Sequence, residues 1–246
     1  MRIGRSSNPA VAEARLRHIA QAEEYSSDKV MTIDGTLNKT LIMFGILLLT
    51  GYFGWTYGAG STGMIWTGVI GGLILAIVTI ARPQYSPYTA PAYAAFQGLA
   101  VGAISAFYAS LYDGIVMQAV GLTLAIFFVM LMLYRSGTIR ATPKFRKGMF
   151  IALGGVLIFY VLNLIAGFFG GGVSLFNLGW MGILIQLVIV GIASLMLILD
   201  FDNIEKGAKA GLPKFAEWYS AFGLVITLVW LYLELLRLLA LLSGRE

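Results

Sequence analysis

The sequence predicts an all-α polytopic membrane protein with seven transmembrane helices. Of its 246 residues 59% are hydrophobic and only 12% are charged, whereas soluble domains average about 25% charged residues. The apolar residues form long blocks of about 20, the length that crosses a bilayer core of about 30 Å. Lys and Arg fall almost wholly between these blocks, as membrane topology requires. The lipid bilayer is therefore the expected surroundings of most of the chain.

Residues 1–38 contain many charged groups and no apolar run, which predicts an N-terminal arm ahead of a transmembrane domain over 39–246. Asn8 as a cap and Pro9 at the first helical position are typical of a helix start. A loose apolar stripe follows at Val11, Leu16 and Ile19. This short helix is compatible both with a solvated arm and with one that lies on the membrane surface.

The apolar blocks predict spans at 41–59, 62–81, 89–111, 114–134, 148–169, 176–200 and 216–242. Three joints between spans are very tight and consist of turn residues without Lys or Arg. They are Gly60-Ser61, Tyr112-Asp113-Gly114 and Gly170-Gly171-Gly172. Close helix approach in lipid uses pairs of small residues four apart. The pairs predicted to lie at interfaces are Gly68/Gly72, Gly98/Gly102 and Gly167/Gly171.

The basic residues predict the orientation of the chain. Of the 17 Lys and Arg residues, all but Arg237 and Arg245 lie before the first span or after the second, fourth and sixth spans. The positive-inside rule then places the N-terminus in the cytoplasm and the C-terminus outside, in a multi-pass protein of the plasma membrane. No compact basic domain remains that would bind nucleic acid.

Several kinds of chemistry are excluded by composition. The chain has no cysteine and one histidine, His18, so disulfides, Cys-based zinc sites, thiol nucleophiles and clustered histidine ligands are ruled out. A nucleophilic serine elbow and a phosphate-binding loop are absent as motifs. Asp200 and Asp202 lie on one short stretch, not on two facing helices as in an aspartic protease. The sequence therefore predicts a protein that is not an enzyme and needs no cofactor.

Acidic residues in the apolar blocks are the candidate functional groups, because each costs about 2.5–3.5 kcal/mol on insertion. Asp200 and Asp202 end the sixth predicted span and point about 200° apart on a helix, with Asp200 predicted to face inward. The pattern is equally compatible with a structural role, in which both residues are ordinary acids at the membrane boundary near Lys206 and Lys209.

Two glutamates belong to the seventh predicted span, and each has a structural alternative. Glu217 opens the span and has Lys214 three residues before it, the spacing of a surface ion pair. Glu234 lies well inside the span and can pair with Arg237 or extend outward. A set of uncharged polar residues either bonds across helices or lines a narrow hydrated path, and it comprises Gln97, Ser105, Gln118, Asn163, Gln186 and Ser194.

Two sequence stretches carry a family resemblance, Leu199-Asp200-Phe201-Asp202-Asn203-Ile204 and Ala216-Glu217-Trp218-Tyr219-Ser220-Ala221-Phe222. They resemble the Bax inhibitor-1/YccA family of seven-span membrane proteins. Further matches lie at 96–105, at Tyr134-Arg135-Ser136-Gly137 and at Pro143-Lys144-Phe145-Arg146. The resemblance is to the bacterial branch, in the inner membrane, and covers nearly all of residues 30–243.

The resemblance implies six helices around a central seventh, which form a calcium leak channel gated by pH. In that family an aspartate at the end of span six meets an acid in span seven. One shared proton or a hydrogen bond between them closes the path, and deprotonation opens it. Asp200 matches the span-six aspartate and Glu217 the first span-seven acid, with Asp202 at the mouth. Calcium as the permeant ion would be held by the two aspartates, along a path that includes Gln97, Asn163, Gln186 and Glu234.

Two departures from the family pattern remove charge from this path. Ala221 stands where calcium-conducting members have a second acid in span seven, and Gln97 stands where many members have glutamate. The alternative function is a non-conducting scaffold that modulates other membrane proteins. A small-solute transporter would normally show repeated halves, and the sequence has no convincing repeat.

Overall fold

A computed structural model describes residues 29–58, 61–169, 171 and 175–244. Seven long helices lie within this part, and all seven are long and apolar enough to cross a membrane, which confirms the predicted architecture. Their bounds are α1 Ile33–Gly58, α2 Thr62–Ala81, α3 Ser86–Leu111, α4 Ile115–Arg135, α5 Pro143–Phe168, α6 Trp180–Lys209 and α7 Phe215–Ser243. Short 3-10 turns occur at Pro83–Tyr85 and Leu175–Leu178. The predicted helix of the arm at Asn8 and Pro9 lies outside the described residues.

Several helices extend beyond the predicted spans, because polar residues at their ends also adopt the helical conformation. α1 begins at Ile33 and not at residue 41, so residues 33–38 belong to the first helix and not to the arm. α5 begins at Pro143, where the Thr142 side chain accepts a hydrogen bond from the Phe145 backbone N–H. α6 continues to Lys209, so the predicted end at residue 200 is wrong. Hydropathy marks the apolar part of a helix, whereas capping and hydrogen bonding decide where the helix ends.

α7 is the central helix of the bundle, as predicted. It is the most buried of the seven helices and α5 is the least buried. α7 packs against α1, α3, α4 and α6, and α5 reaches it through the hydroxyl of Tyr160, which donates to Glu234. Large apolar side chains cover the outside of the bundle, as expected of helices whose backbone bonds are satisfied internally and whose surroundings are lipid.

Glycine allows two of the helices to approach closely. The Gly98/Gly102 pair lies against α1, and a Cβ built on Gly102 would come within 2.0 Å of the Gly51 carbonyl oxygen. The predicted pair on α2 lies against α3 in the same way. No described atom comes within 4 Å of a Cβ built on Gly167, so the third predicted pair forms no interface in this part of the chain.

Candidate functional site

The segment that precedes α1 lies against the connection between α6 and α7. The Met31 backbone N–H donates to the Leu212 carbonyl at 2.7 Å, and the Lys214 N–H donates to the Lys29 carbonyl at 3.0 Å. We call this end of the bundle, where α1, α3, α5 and α7 begin, the basic end. The pairing fixes Thr32 beside the first turn of α7.

Glu217 is fully buried at the basic end and holds Thr32, whose hydroxyl caps α1 by accepting a hydrogen bond from the Gly35 N–H. Its Oε1 accepts hydrogen bonds from the Thr32 backbone N–H at 3.0 Å and from the Thr32 hydroxyl at 2.9 Å. The carboxylate occupies the space of a missing side chain at Gly35, where a Cβ would come within 2.0 Å of Oε1. A negative charge is favourable at a helix N-terminus because the free N–H groups point towards it. The predicted ion pair between Glu217 and Lys214 is present at 3.1 Å. The Glu217 carboxylate is buried, however, and does not lie at the surface as predicted.

Asp202 joins α5 to α6 at the same end. Its Oδ2 accepts hydrogen bonds from Arg146 Nη2 at 2.6 Å and from Lys206 Nζ at 2.7 Å. Arg146 also donates to Asn203 Oδ1 at 2.9 Å. The Asp202 carboxylate is largely buried, and two cations balance its charge. The expected proximity to Lys206 is therefore observed, and Arg146 is an additional partner from another helix.

Asp200 points away from Asp202 and towards α7. The Thr227 hydroxyl, which donates to the Gly223 carbonyl at 3.2 Å, is a neighbour of its carboxyl, and a Cβ built on Gly223 would lie 3.7 Å from Asp200 Oδ1. The other carboxyl oxygen, Oδ2, is buried and accepts no hydrogen bond from any described residue. Asp200 is therefore a half-buried acid with one buried, unused oxygen, and it lies between the two most buried helices of the bundle.

The structure does not bring the carboxyls of Asp200 and Glu217 to a common contact. Gly223, which Asp200 faces, lies six residues after Glu217, or about 9 Å along the axis of α7. The proton shared by these two acids stays a prediction. The carboxyls of Asp200 and Asp202 face different helices and share no observed ligand position. Calcium binding by these two residues therefore also stays a prediction. Over the described ranges there is no group of three or more His, Cys, Asp or Glu that could hold a metal ion.

Glu234 is the centre of a second buried polar cluster. Its carboxylate accepts hydrogen bonds from Tyr160 Oη, Gln186 Nε2, Trp230 Nε1 and Arg237 Nη1. These donors belong to three helices, α5, α6 and α7. The predicted pair with Arg237 is present at 3.2 Å, within a larger network. Gln186 therefore bonds across helices, which is one of the two interpretations left open for the polar residues.

The other predicted path residues lie away from these acids. Gln97 is half-buried on α3 and faces α2, because a Cβ built on Gly72 would come within 2.9 Å of its Oε1. Asn163 is half-buried on α5. Ser105 bonds to the Tyr232 hydroxyl at 2.6 Å and so links α3 to α7. For Gln97 and Asn163 a role in a hydrated path stays a prediction.

Sequence reasoning missed the partners of the buried acids. Thr32, Arg146 and Tyr160 each come from a helix or segment distant in sequence from the acid that they contact, so no spacing rule indicates them. The position of Thr227 weakly indicated a role beside a buried acid, because it is a polar residue inside the apolar seventh span, one helical turn after Gly223.

The fold and the buried acids define a class of protein: a polytopic α-helical membrane protein whose central helices carry ionisable groups. The sequence profile of a family described as Bax inhibitor 1 like matches residues 8–244. The chain therefore belongs to the Bax inhibitor-1-like family, which confirms the resemblance predicted from the sequence. Among curated proteins, no sequence matches this chain.

Proposed function

We propose that the protein conducts cations passively across the membrane and that a proton on Asp200 closes the path. The observation that supports this most is the buried Oδ2 of Asp200, which has no hydrogen-bond donor among the described residues. A charged group inside a bilayer is costly unless it is neutralised. Its contacts on α7, Thr227 and Gly223, carry no charge. A proton or a permeating cation would supply the missing neutralisation.

We propose further that the basic end faces the cytoplasm of the cell and that the protein is inserted in the plasma membrane. Arg146, Lys206 and Lys214 all lie at this end, and the positive-inside rule favours that orientation. Asp202 would then stand at the cytoplasmic mouth. A cation that enters there must replace Arg146 or Lys206 at the carboxylate, which makes the ion pairs part of the closed state.

Calcium is the proposed permeant ion, with Asp200 and the Thr227 hydroxyl as oxygen ligands on its path. A hard divalent cation prefers several oxygen ligands, and two protein oxygens together with water suit transient binding better than tight binding. Weak binding is what conduction requires, because an ion that is held tightly does not leave.

Flux through purified protein in proteoliposomes tests this function. We expect calcium entry, followed with an enclosed dye, to rise from mildly acidic to mildly alkaline pH as Asp200 loses its proton. Asp200→Asn should reduce the flux at least several-fold and remove its pH dependence, since an amide carries no charge at any pH. Asp113→Asn is the matched control, because it removes an acid from an exposed turn.

Two results would contradict the proposal. A wild-type protein without flux at any pH excludes the channel function. An Asp200→Asn protein with the same pH profile as Asp113→Asn excludes Asp200 as the gate.

One observation favours the alternative function of a non-conducting scaffold. Ala221, which stands where a second acid is expected, is fully buried in an apolar cluster with Met43 and Tyr93. Glu217, the remaining acid at this end of α7, caps α1 instead of facing Asp200. A scaffold would co-purify with the same membrane-protein partners before and after Asp200→Asn, whereas a channel needs no partner for flux in liposomes.

A further inference from the structure

Glu234 is a second buried carboxylate, near the end of the bundle opposite the basic end. It lies 11 residues beyond Gly223 on α7, or about 17 Å along the helix axis, and is 3% exposed. Three neutral donors fix its position: Tyr160 Oη at 2.9 and 3.0 Å from the two carboxylate oxygens, Gln186 Nε2 at 2.6 Å and Trp230 Nε1 at 2.9 Å. These three uncharged donors hold the carboxylate in place independently of Arg237.

Arg237 supplies the positive charge and is the most weakly attached member of the cluster. Its Nη1 lies 3.2 Å from Glu234 Oε2, the longest of these contacts, and 2.7 Å from the Tyr160 hydroxyl. Its side chain is 34% exposed, against 4% for that of Glu234. A long arginine side chain can extend along its helix towards the membrane interface, and Arg237 lies six residues before the end of α7 at Ser243. Withdrawal of Arg237 would leave a fixed and uncompensated negative charge.

An unused oxygen lies beside that charge. Gln186 is fully buried, and its Oε1 accepts no hydrogen bond in the described part of the chain, although its Nε2 donates to both the side chain and the backbone carbonyl of Glu234. The Glu234 carboxylate, Gln186 Oε1 and the Tyr160 hydroxyl thus bring protein oxygens together from three helices. Oxygen atoms around a carboxylate are the ligands that hard cations prefer.

We propose that Glu234, Gln186 and Tyr160 form a cation-binding site and that the guanidinium of Arg237 occupies it as a tethered counter-ion when the path is closed. Movement of Arg237 towards the membrane interface frees the site for a divalent cation. The binding site is inferred from the cluster alone, and its role in flux rests on the proposed channel function.

Direct binding tests the site without any need for conduction. Terbium(III), a hard cation that stands in for calcium, emits when a nearby tryptophan is excited, and Trp230 contacts Glu234 directly. We expect purified Arg237→Gln to gain tryptophan-sensitised terbium emission at least several-fold over the wild type, and calcium to reverse the gain. The gain should disappear in Arg237→Gln combined with Glu234→Gln, and in Arg237→Gln combined with Trp230→Phe.

Flux tests whether the site belongs to the path. Arg237→Gln should raise calcium entry into proteoliposomes several-fold, and the combined Arg237→Gln and Glu234→Gln protein should lose that increase. Ser105→Ala is the matched control for loosened helix contacts, because it removes the hydrogen bond between Ser105 and Tyr232 that links α3 to α7 and changes no residue of the site. It should leave flux at the wild-type level, and Glu234→Gln alone should leave flux at or below that level.

Each outcome has a distinct meaning. Absence of terbium emission in a folded Arg237→Gln protein overturns the cation site. Equal increases of flux in Arg237→Gln and Glu234→Gln overturn it as well, because both changes would then act only by loosening the contacts between helices. Terbium binding without flux in any variant supports the site and contradicts the proposed channel. If Arg237→Gln does not fold, Arg237→Met is used, which keeps an unbranched side chain without the charge, and an absence of terbium emission there also overturns the proposal.

Discussion

Replacement of Glu217 by alanine is expected to lower the free energy of unfolding by about 3 kcal/mol, since it removes the acceptor of two hydrogen bonds to a buried carboxylate. The Thr32 backbone N–H and hydroxyl would both lose their partner. The N-terminus of α1 would also lose a negative charge, worth up to about 2 kcal/mol in a partly buried position. The expected loss is measured by reversible unfolding in detergent, followed by circular dichroism.

Glu217→Gln is the matched variant, because its side-chain oxygen still accepts from Thr32 while the charge is lost. We expect a loss of about 1 kcal/mol for this change. Lys214→Gln should have a smaller effect, since Lys214 is half-exposed and such pairs contribute little. Equal losses for the alanine and glutamine variants would contradict the capping role of the carboxylate.

Replacement of Gly102 by alanine is expected to destabilise the bundle by about 3 kcal/mol through overpacking. The added Cβ would lie 2.0 Å from the Gly51 carbonyl oxygen, and backbone atoms of a helix cannot move aside as the end of a flexible side chain can. α1 and α3 would have to separate along their length. Thermal unfolding of the purified protein in detergent measures the effect.

Gly121→Ala provides the control on α4. It makes the same chemical change inside a predicted span, but no described atom lies within 4 Å of the added Cβ. Alanine is the better helix former by up to about 1 kcal/mol, so this variant should unfold at the same temperature as the wild type or slightly above it. A similar fall for both variants would show that packing between α1 and α3 is not the cause.

The two buried carboxylates of α7, Glu217 in its first turn and Glu234 well inside the helix, differ in the partners that surround them. Glu217 has partners that tie α1 to the central helix and an ion pair with Lys214, whereas Glu234 has one partly exposed cation and several neutral donors. Asp200 on α6 and Glu217 each have a buried oxygen that no described donor satisfies. Asp200 forms no ion pair with a described residue, so a proton or cation is expected there first, and at Glu234 only after Arg237 moves.

Seven spans were predictable from the sequence because hydropathy is a property of each residue and its neighbours along the chain. A block of about 20 apolar residues can satisfy its backbone only as a helix in lipid, whatever the other blocks do. The pair Glu234 and Arg237 was predictable for a similar reason, since residues three apart on one helix are neighbours. Family membership followed from the order of short motifs.

Only the tertiary structure decided which groups meet the buried acids. Thr32 and Glu217 are 185 residues apart in sequence, and Arg146 reaches Asp202 from another helix. Such contacts depend on the depth and rotation of each helix in the bundle. Both are determined jointly by many apolar side chains of similar size. Hydropathy determines that a helix crosses the membrane, but it carries no information about the neighbour that each polar side chain faces.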